Sequence, residues 1–240
     1  MPPRLLLLST STVFGTGYLD HALPEMSDFL EGASRVLFVP YALKDRDAYA
    51  AKAREAFASI GRSLDSLHAA PSPRDAVGGA EALFVGGGNT FRLLTELYRL
   101  DLLGVIRERV SAGLPYSGAS AGSNVAGPTI RTTNDMPIVE PPSLAALGLV
   151  PFQINPHYLD PEAGSRHMGE TREERLLQFH EENETPVAGL REGAMLRVEG
   201  GRVLLKGTAG ARIFRRGLPP VEEAPGSDLT ALLCGPGTGA

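Results

Sequence analysis

The sequence PYSGASAGSNVAG, residues 115–127, places a serine, Ser120, between two glycines directly after an apolar segment. This G-x-S-x-G pattern is typical of a sharp strand-to-helix turn, in which the glycines leave room and the serine hydroxyl is exposed above a sheet. The amide of the next residue, Ala121, then lies at a helix N-terminus, where backbone donors are free. The stretch predicts a candidate nucleophile at Ser120, with a purely structural turn as the alternative.

Outward from this stretch, short apolar runs alternate with helical periodicity along most of the chain. Strands are predicted over residues 4–10, 35–42 and 81–88, and a helix over residues 44–61. Because parallel strands are usually connected through a helix, this alternation predicts βαβ units on a mainly parallel sheet. We expect one three-layer α/β domain over residues 1–218, with a Pro/Gly-rich, loosely ordered tail over residues 219–240.

Composition narrows the class of protein. The chain has 240 residues, 42% of them hydrophobic, with a formal net charge of -5, so no basic surface indicates nucleic-acid binding. The single cysteine, Cys234, excludes an internal disulfide and a cysteine zinc cluster. The N-terminal apolar run, Leu5 to Leu8, is shorter than the roughly 7–15 residues of a signal-peptide core. We expect a cytoplasmic monomer or homodimer without a membrane segment.

Three candidate loops leave the carboxyl ends of predicted strands, where ligand sites of open parallel sheets lie. They are GGGNT (86–90), GASAG (118–122) and NPHY (155–158). A serine hydroxyl needs a general base within hydrogen-bond reach, and His157 directly follows a predicted strand end. The sequence therefore predicts His157 as the base, with a structural histidine as the alternative.

The remaining parts of a serine site have candidates of their own. The amide of Gly88 is predicted to face that of Ala121 and form an oxyanion hole. For the group that orients the histidine, Asp135 in TTNDMP and Glu192 in LREG both stay open. The glycine run lacks the lysine of a P-loop, and the histidines lack metal-binding spacing. We therefore expect neither a metal nor a cofactor.

Together these segments closely resemble peptidase E, the alpha-aspartyl dipeptidase family of serine peptidases. The matching stretches span residues 84–193 and read FVGGGNTFRLL, PYSGASAGSNVAGPTIRTTNDMPI, FQINPHY, GETREER and GLREG. The resemblance implies a flavodoxin-like sheet related to class I glutamine amidotransferases, and cleavage of Asp-Xaa dipeptides in the cytoplasm without a cofactor. It implies Ser120 as nucleophile and His157 as base. For the acid, the family points to the glutamate of LREG or the aspartate of TTNDMP, and of these two we favour Glu192 over Asp135.

The implied substrate needs a cation for its aspartate side chain. An arginine guanidinium matches a carboxylate with two parallel hydrogen bonds, and the motif match makes Arg172 the first candidate. Arg131 is a second candidate, and Asn89 could serve as a neutral donor. Other readings remain open: a cyanophycinase-like hydrolase of other aspartyl amides, an esterase, or a non-enzymatic module that binds a small anion at GGGNT.

Overall fold

The computed structural model describes residues 2–161 and 168–235 of the chain. The strands are β1 (Leu5–Leu8), β2 (Arg35–Val39), β3 (Ser63–Ser66), β4 (Leu83–Val85), β5 (Tyr116–Ala119), β6 (Gln153–Asn155), β7 (Val187–Leu190), β8 (Ala194–Glu199), β9 (Arg202–Gly207), β10 (Ala211–Arg215) and β11 (Leu218–Glu223). The helices are α1 (Leu23–Phe29), α2 (Arg46–Ser59), α3 (Pro73–Gly78), α4 (Thr90–Arg99), α5 (Leu102–Ser111), α6 (Ala121–Asn124), α7 (Arg172–Glu182) and α8 (Thr230–Cys234), with a short 3-10 helix at Leu67–Ala69. In the described ranges, no helix is both long and apolar enough to cross a membrane.

A seven-stranded sheet in the order β3-β2-β4-β5-β1-β8-β9 forms the centre of the fold. The first five strands in that order are parallel, whereas β8 and β9 extend the sheet in antiparallel fashion. The predicted mainly parallel sheet is therefore confirmed. It is the parallel part that brings the carboxyl ends of β4, β5 and β1 to one edge.

Helices cover both faces of this sheet, which gives the predicted three layers. The four leucines of β1 are fully buried, and they alternate between two apolar cores because successive side chains of a strand point to opposite faces. One core contains apolar residues of α1 and α2, and the other contains apolar residues of α3, α4 and α5. A strand buried on both faces explains why β1 reads as a continuous apolar run.

A second sheet was not predicted. Four strands in the order β11-β10-β7-β6 form it, and only β6 and β7 pair in parallel. Helix α7 packs against it through Leu176, which lies in a small apolar cluster with Val187 and Phe214. The chain leaves the second sheet at the end of β7 and enters the central sheet at β8, so residues 191–193 form the connection between the two sheets.

The expectation of a loosely ordered tail over residues 219–240 needs correction. Strand β11 pairs with β10, and α8 packs through Leu233, which is buried together with Leu229. Pro219 and Pro220 are compatible with a strand here because β11 is an edge strand, where missing amide donors cost no ladder bond. Residues 236–240 lie outside the described part of the chain.

Helix α6 packs on the ends of β4 and β5 with no side chain between. A Cβ atom at Gly118 would overlap the carbonyl of Gly122, and one at Gly122 would overlap the carbonyl of Val85 in β4. Backbone cannot move aside as a flexible side chain can. Close approach is therefore the reason for glycine at these two positions.

We predict that Gly118→Ala lowers the free energy of unfolding by at least about 1–3 kcal/mol, the usual cost of overpacking. The matched control is Gly104→Ala in α5, where an added Cβ meets nothing within 4 Å. That change should raise stability by about 0.5–1 kcal/mol, because alanine has the higher helix propensity. Urea unfolding of both variants measures the two effects. Equal stability of Gly118→Ala and the unsubstituted chain would contradict the packing argument.

Candidate active site

Ser120 occupies the bend between β5 and α6. Its backbone has φ 51° and ψ -108°, a conformation that residues other than glycine rarely adopt. Its amide donates to the carbonyl of Leu8 in β1 at 3.0 Å, and its carbonyl accepts from the amides of Ser123 and Asn124, both at 2.9 Å. Strain of this kind persists only where surrounding bonds hold it. The bend is therefore fixed from both sides by the backbone.

Two buried hydroxyl groups brace the same bend. The hydroxyl of Tyr116 donates to the carbonyl of Gly122 at 2.6 Å, and burial raises the pKa of Tyr116, which keeps this donor protonated. The hydroxyl of Ser123 lies 2.7 Å from the carbonyl oxygen of Leu8 and 2.8 Å from that of Gly118. These contacts tie the first turn of α6 to both β5 and β1.

His157 lies two residues beyond β6, also with a positive φ, of 53°. Its amide donates to the hydroxyl oxygen of Ser9 at 2.9 Å, and that hydroxyl donates to the carbonyl of Leu190 at 2.8 Å. Ser9 is fully buried at the end of β1. The imidazole Nε2 atom is 2.9 Å from Oγ of Ser120. The histidine loop is thus held by the end of the same strand that holds the serine bend.

Glu192 lies in the connection between the two sheets. Its Oε1 atom is 2.7 Å from Nδ1 of His157, and the two side chains are 44% and 37% exposed. A neutral imidazole has one donor and one acceptor nitrogen. With Nδ1–H donating to Glu192, Nε2 can accept the proton of the Ser120 hydroxyl. The three side chains form the geometry of a serine nucleophile with its base and orienting acid.

Arg191 anchors the connection that carries Glu192. Its guanidinium makes two hydrogen bonds to Asp160, at 2.6 and 2.7 Å, and two to Glu222, at 2.9 and 3.1 Å. It also lies over the ring of Tyr158, 5.6 Å from its centroid. The hydrogen bonds from Arg191 hold the pKa of Asp160 below its usual value. Because Asp160 follows His157 by three residues, this pair links the histidine loop to the glutamate loop.

Asp135, the other candidate acid, has different contacts. Its Oδ2 atom accepts from the amide of Thr90 at 2.7 Å and from the hydroxyl of Thr90 at 2.6 Å, at the start of α4. Among the hydrogen bonds of the described residues, none joins Asp135 to His157. The carboxylate that contacts the imidazole is that of Glu192.

The glycine loop after β4 approaches the serine closely. A Cβ at Gly87 would lie 3.1 Å from Cβ of Ser120, and Gly88 has a φ of 132° with the carbonyl of Ala42 2.7 Å from where its Cβ would be. Glycine is required at Gly88 for both reasons. Asn89 caps α4: its Oδ1 accepts from the amide of Arg92 at 3.0 Å, and its Nδ2 donates to the carbonyl of Met136 at 2.9 Å.

Two cavities lie on either side of Asp135. The serine cavity, about 750 Å³, is lined by Ser120, His157, Gly87, Gly88, Asp135 and residues of the segments 10–18 and 43–52. The arginine cavity, about 210 Å³, is lined by residues that include Arg131, Arg172, Arg175, Asn155 and again Asp135. Asp135 therefore borders both a cavity with the candidate nucleophile and one with three arginines.

Arg172, the first residue of α7, is half-buried in the arginine cavity. Burial lowers the pKa of its guanidinium, as does Arg175, while the charge of Asp135 opposes the shift. Within the described ranges, Arg172 takes part in no ion pair, whereas the nearby Arg212 pairs with Glu173 at 2.8 Å. A half-buried arginine without a carboxylate partner is suited to bind an anion. Arg131 lines the same cavity but is exposed.

The sequence predicts Ser120 and His157 at one edge of the sheet, where their side chains are in contact. It leaves Glu192 and Asp135 open as the acid, and of the two, Glu192 is the one that contacts the imidazole. Sequence reasoning missed Ser9 and Arg191. Ser9 follows the apolar run of β1, so its place at a strand end was a signal that could have been used. The role of Arg191 had no such local signal, because its partners Asp160 and Glu222 are each 31 residues away.

The arrangement is suited to nucleophilic acyl transfer. Ser120 has a base within hydrogen-bond reach, and the amide of Ala121 lies at the first position of α6, beside the glycine loop. No group of three or more His, Cys, Asp or Glu side chains able to hold a metal ion occurs among the described residues. The chemistry of the residues at hand is that of a serine hydrolase site.

Comparison with known proteins finds close relatives. The model of peptidase family S51 matches residues 5–206. The chain is 59% identical over 230 residues to peptidase E of Streptomyces coelicolor, covering 96% of this chain and 95% of that protein. It is 53% identical over 233 residues to a probable alpha-aspartyl dipeptidase of Drosophila melanogaster, covering 96% of this chain and 97% of that protein.

A solved structure has the same fold. The crystal structure of a peptidase from an acI-B1 Actinobacterium superposes with a TM-score of 0.72 at 19% sequence identity, covering 95% of this chain and 96% of that one. At this identity the likeness supports the fold alone. It agrees with the layered arrangement described above.

A serine-directed phosphonofluoridate tests the contact between serine and histidine. We expect one label per chain, on Ser120, because Nε2 of His157 can accept the hydroxyl proton as the oxygen attacks phosphorus. Ser120→Ala should abolish labelling, and His157→Ala should slow it. Mass mapping of the labelled peptides locates the adduct. Labelling of another serine at the same rate as Ser120 would contradict the assignment of Ser120 as the nucleophile.

The same reagent separates the two candidate acids. Glu192→Gln should slow labelling by ~10²-fold or more, since general-base catalysis contributes about 10²–10⁴-fold and glutamine does not stabilise a charged imidazole. Asp135→Asn is the matched control, which also replaces a carboxylate by an amide of the same size. It should slow labelling by less than about tenfold, because Asp135 contacts Thr90 and not the imidazole. If Asp135→Asn slowed labelling more than Glu192→Gln, Asp135 would be the acid.

Proposed function

This chain belongs to peptidase family S51, and we propose that it is a serine dipeptidase that hydrolyses Asp-Xaa dipeptides through an acyl-enzyme on Ser120. The observation that carries the proposal is the line of contacts from Glu192 to His157 at 2.7 Å and from His157 to Ser120 at 2.9 Å. The names of the relatives, peptidase E and probable alpha-aspartyl dipeptidase, support the preference for an N-terminal aspartate.

Acylation begins at the carbonyl carbon of the aspartyl residue. Oγ of Ser120 bonds to that carbon while Nε2 of His157 takes the hydroxyl proton, and the carbonyl oxygen becomes negatively charged. The amides of Gly88 and Ala121 donate to this oxygen. Glu192 stabilises the positive charge of the imidazole and holds its tautomer.

Collapse of this intermediate breaks the peptide bond. Nε2–H of His157 gives its proton to the leaving nitrogen, so that the Xaa amino acid departs with a neutral amine. Water then attacks the ester on Ser120, with His157 as the base once more, and free aspartate leaves as the hydroxyl of Ser120 is restored.

The charges around the two cavities support an aspartyl substrate. The guanidinium of Arg172, free of ion pairs among the described residues, can bind the side-chain carboxylate of the substrate with two parallel bonds. Arg131, which is exposed, adds positive charge to the lining of the same cavity. The carboxylate of Asp135, which lines both cavities, lies where it can attract the N-terminal ammonium of the peptide.

The other readings have weaker support. A cyanophycinase-like hydrolase or an esterase would use the same serine, and substrate comparison separates them from a dipeptidase. An anion-binding module at residues 86–90 is disfavoured, because the amide of Thr90 already donates to Asp135. Asn89 likewise uses its side chain to cap α4, which leaves its part in substrate binding the weakest of the assignments.

A cytoplasmic location belongs to the same proposal. The single cysteine, Cys234, supports it, since secreted proteins of this size commonly carry disulfides. The net charge of -5 supports small peptides rather than nucleic acids as partners. A monomer or homodimer stays a prediction, which light scattering would test.

Hydrolysis of a small peptide panel tests the reaction. We expect release of leucine from Asp-Leu, with kcat/KM at least tenfold above that for Ala-Leu, beta-Asp-Leu and a simple acetate ester, because only Asp-Leu supplies the anion at the correct distance from the scissile carbonyl. Ser120→Ala should lose nearly all activity while its urea-unfolding curve stays unchanged. Turnover of the beta-linked peptide or the ester with none of Asp-Leu would reject the aspartyl dipeptidase and favour an alternative hydrolase.

Replacement of the cavity arginine tests the recognition of aspartate. Arg172→Gln should lower kcat/KM for Asp-Leu by ~10²-fold, since loss of a charged hydrogen-bonded partner in a partly buried site costs about 2–3 kcal/mol. Activity toward Asn-Leu should change little, so that the preference between the two substrates narrows. Arg74→Gln, at an exposed arginine paired with Asp101, is the matched control. If Arg172→Gln kept the same preference for Asp-Leu over Asn-Leu, another residue would recognise the aspartate side chain.

A further inference from the structure

The chain has only three lysines among its 23 Lys and Arg residues, and two of them line the serine cavity. We propose that these two, Lys44 and Lys52, bind the free C-terminal carboxylate of the dipeptide and so favour dipeptides over substrates that lack it. This inference rests on the proposed function, because only cleavage of a dipeptide at Ser120 places a departing Xaa residue over the lysines.

The first support is that both lysines lack a carboxylate partner within the protein. In the described part of the chain, neither takes part in an ion pair, whereas the third lysine, Lys206, lies 3.6 Å from Glu25. Asp45 adjoins Lys44, but its carboxylate accepts from the amide of Ala48 at the start of α2. Their charge is available to a ligand in the cavity.

The second support is that Lys52 is held at the cavity wall. Its Nζ atom lies 4.8 Å from the centroid of the Tyr18 ring, which is within the range of a cation–π contact. Tyr18 itself lines the cavity and packs edge-on against Tyr49, with ring centroids 6.1 Å apart. The ammonium group is therefore supported by aromatic rings, and its long stem keeps enough freedom to meet a bound anion.

The third support is the distribution of charge across the site. An Asp-Xaa dipeptide carries two carboxylates, one on the aspartate side chain and one at the C-terminus, with the reactive carbonyl between. Among the described residues, each of the two cavities is lined by cations without a carboxylate partner: Arg172 in the arginine cavity, and Lys44 with Lys52 in the serine cavity. Asp135 lines both cavities, and Ser120 lines the serine cavity. When the aspartyl side chain points to the arginine cavity, its carboxylate faces Arg172 and the C-terminal carboxylate faces the two lysines.

The chemistry of the leaving residue explains why the lysines would be effective for every Xaa. Its carboxyl carbon is bonded to the same Cα atom as the scissile nitrogen, so its distance from Ser120 does not depend on the Xaa side chain. That side chain can occupy the remaining volume of the open cavity. A C-terminal amide or a further residue removes the negative charge at this point. The lysines thus select chain length and leave the identity of Xaa free.

Comparison of Asp-Leu with Asp-Leu-amide, cleaved at the same bond, tests the proposal. In the unsubstituted enzyme we expect kcat/KM for the free acid to exceed that for the amide by about tenfold, since exposed ion pairs contribute up to about fivefold each. In the double variant Lys44→Gln, Lys52→Gln this ratio should fall to about one, with the change mainly in KM. Lys206→Gln, which removes a lysine that does not line the cavity, should keep the original ratio.

The two single variants and a salt series complete the experiment. Each single variant should give an intermediate ratio, and added salt should weaken cleavage of the free acid more than that of the amide in the unsubstituted enzyme. The salt series needs no variant, so it serves even where the double variant fails to fold. A double variant that keeps the original ratio, or a ratio unaffected by salt, overturns the lysine assignment alone. Cleavage of neither substrate by the unsubstituted enzyme overturns the proposed function itself.

Discussion

The carboxyl end of β1 is the constraint on which the site depends. The carbonyl of Leu8 accepts from the amide of Ser120 at 3.0 Å, and the next residue, Ser9, accepts from the amide of His157 at 2.9 Å. Ser120 and His157 both have positive φ, which costs on the order of 1–3 kcal/mol at each residue and persists only where surrounding contacts impose it. One buried strand end therefore holds both strained residues, and it sets the distance between nucleophile and base before any substrate binds.

Glu192, the third residue of the site after Ser120 and His157, lies at the junction of the two sheets. The hydroxyl of Ser9 donates to the carbonyl of Leu190 at the end of β7, and the chain then turns through Arg191 and Glu192 into β8. Arg191 fixes this turn against Asp160 on the histidine loop. The loop that carries the imidazole is thus held by the Ser9 hydroxyl at His157 and by the ion pair with Arg191 at Asp160. Charged hydrogen bonds of this type hold geometry well because two parallel bonds restrict rotation.

Much of the fold and of the site could be predicted because the signals are local. The continuous apolar run of β1, the helical spacing after β2, and the glycines around Ser120 each depend on residues within a few positions of one another. Steric exclusion at Gly118 acts through Gly122, only four residues away. The tail was misjudged because its prolines and glycines resemble a loose segment, whereas pairing of β11 with β10 depends on a strand that the local pattern does not reveal.

The sequence by itself determined the strand, bend and helix at Ser120, and the meeting of three loops at one sheet edge, since parallel strands end on the same side. Only the tertiary structure decided between Glu192 and Asp135 as the contact of the imidazole, because the ring and Glu192 are 35 residues apart. It also decided that β7 joins a second sheet and that two lysines line the serine cavity. A strand has the same sequence pattern whichever of the two sheets it joins. The sequence therefore does not reveal its pairing partners, because these are decided by the packing of the whole chain.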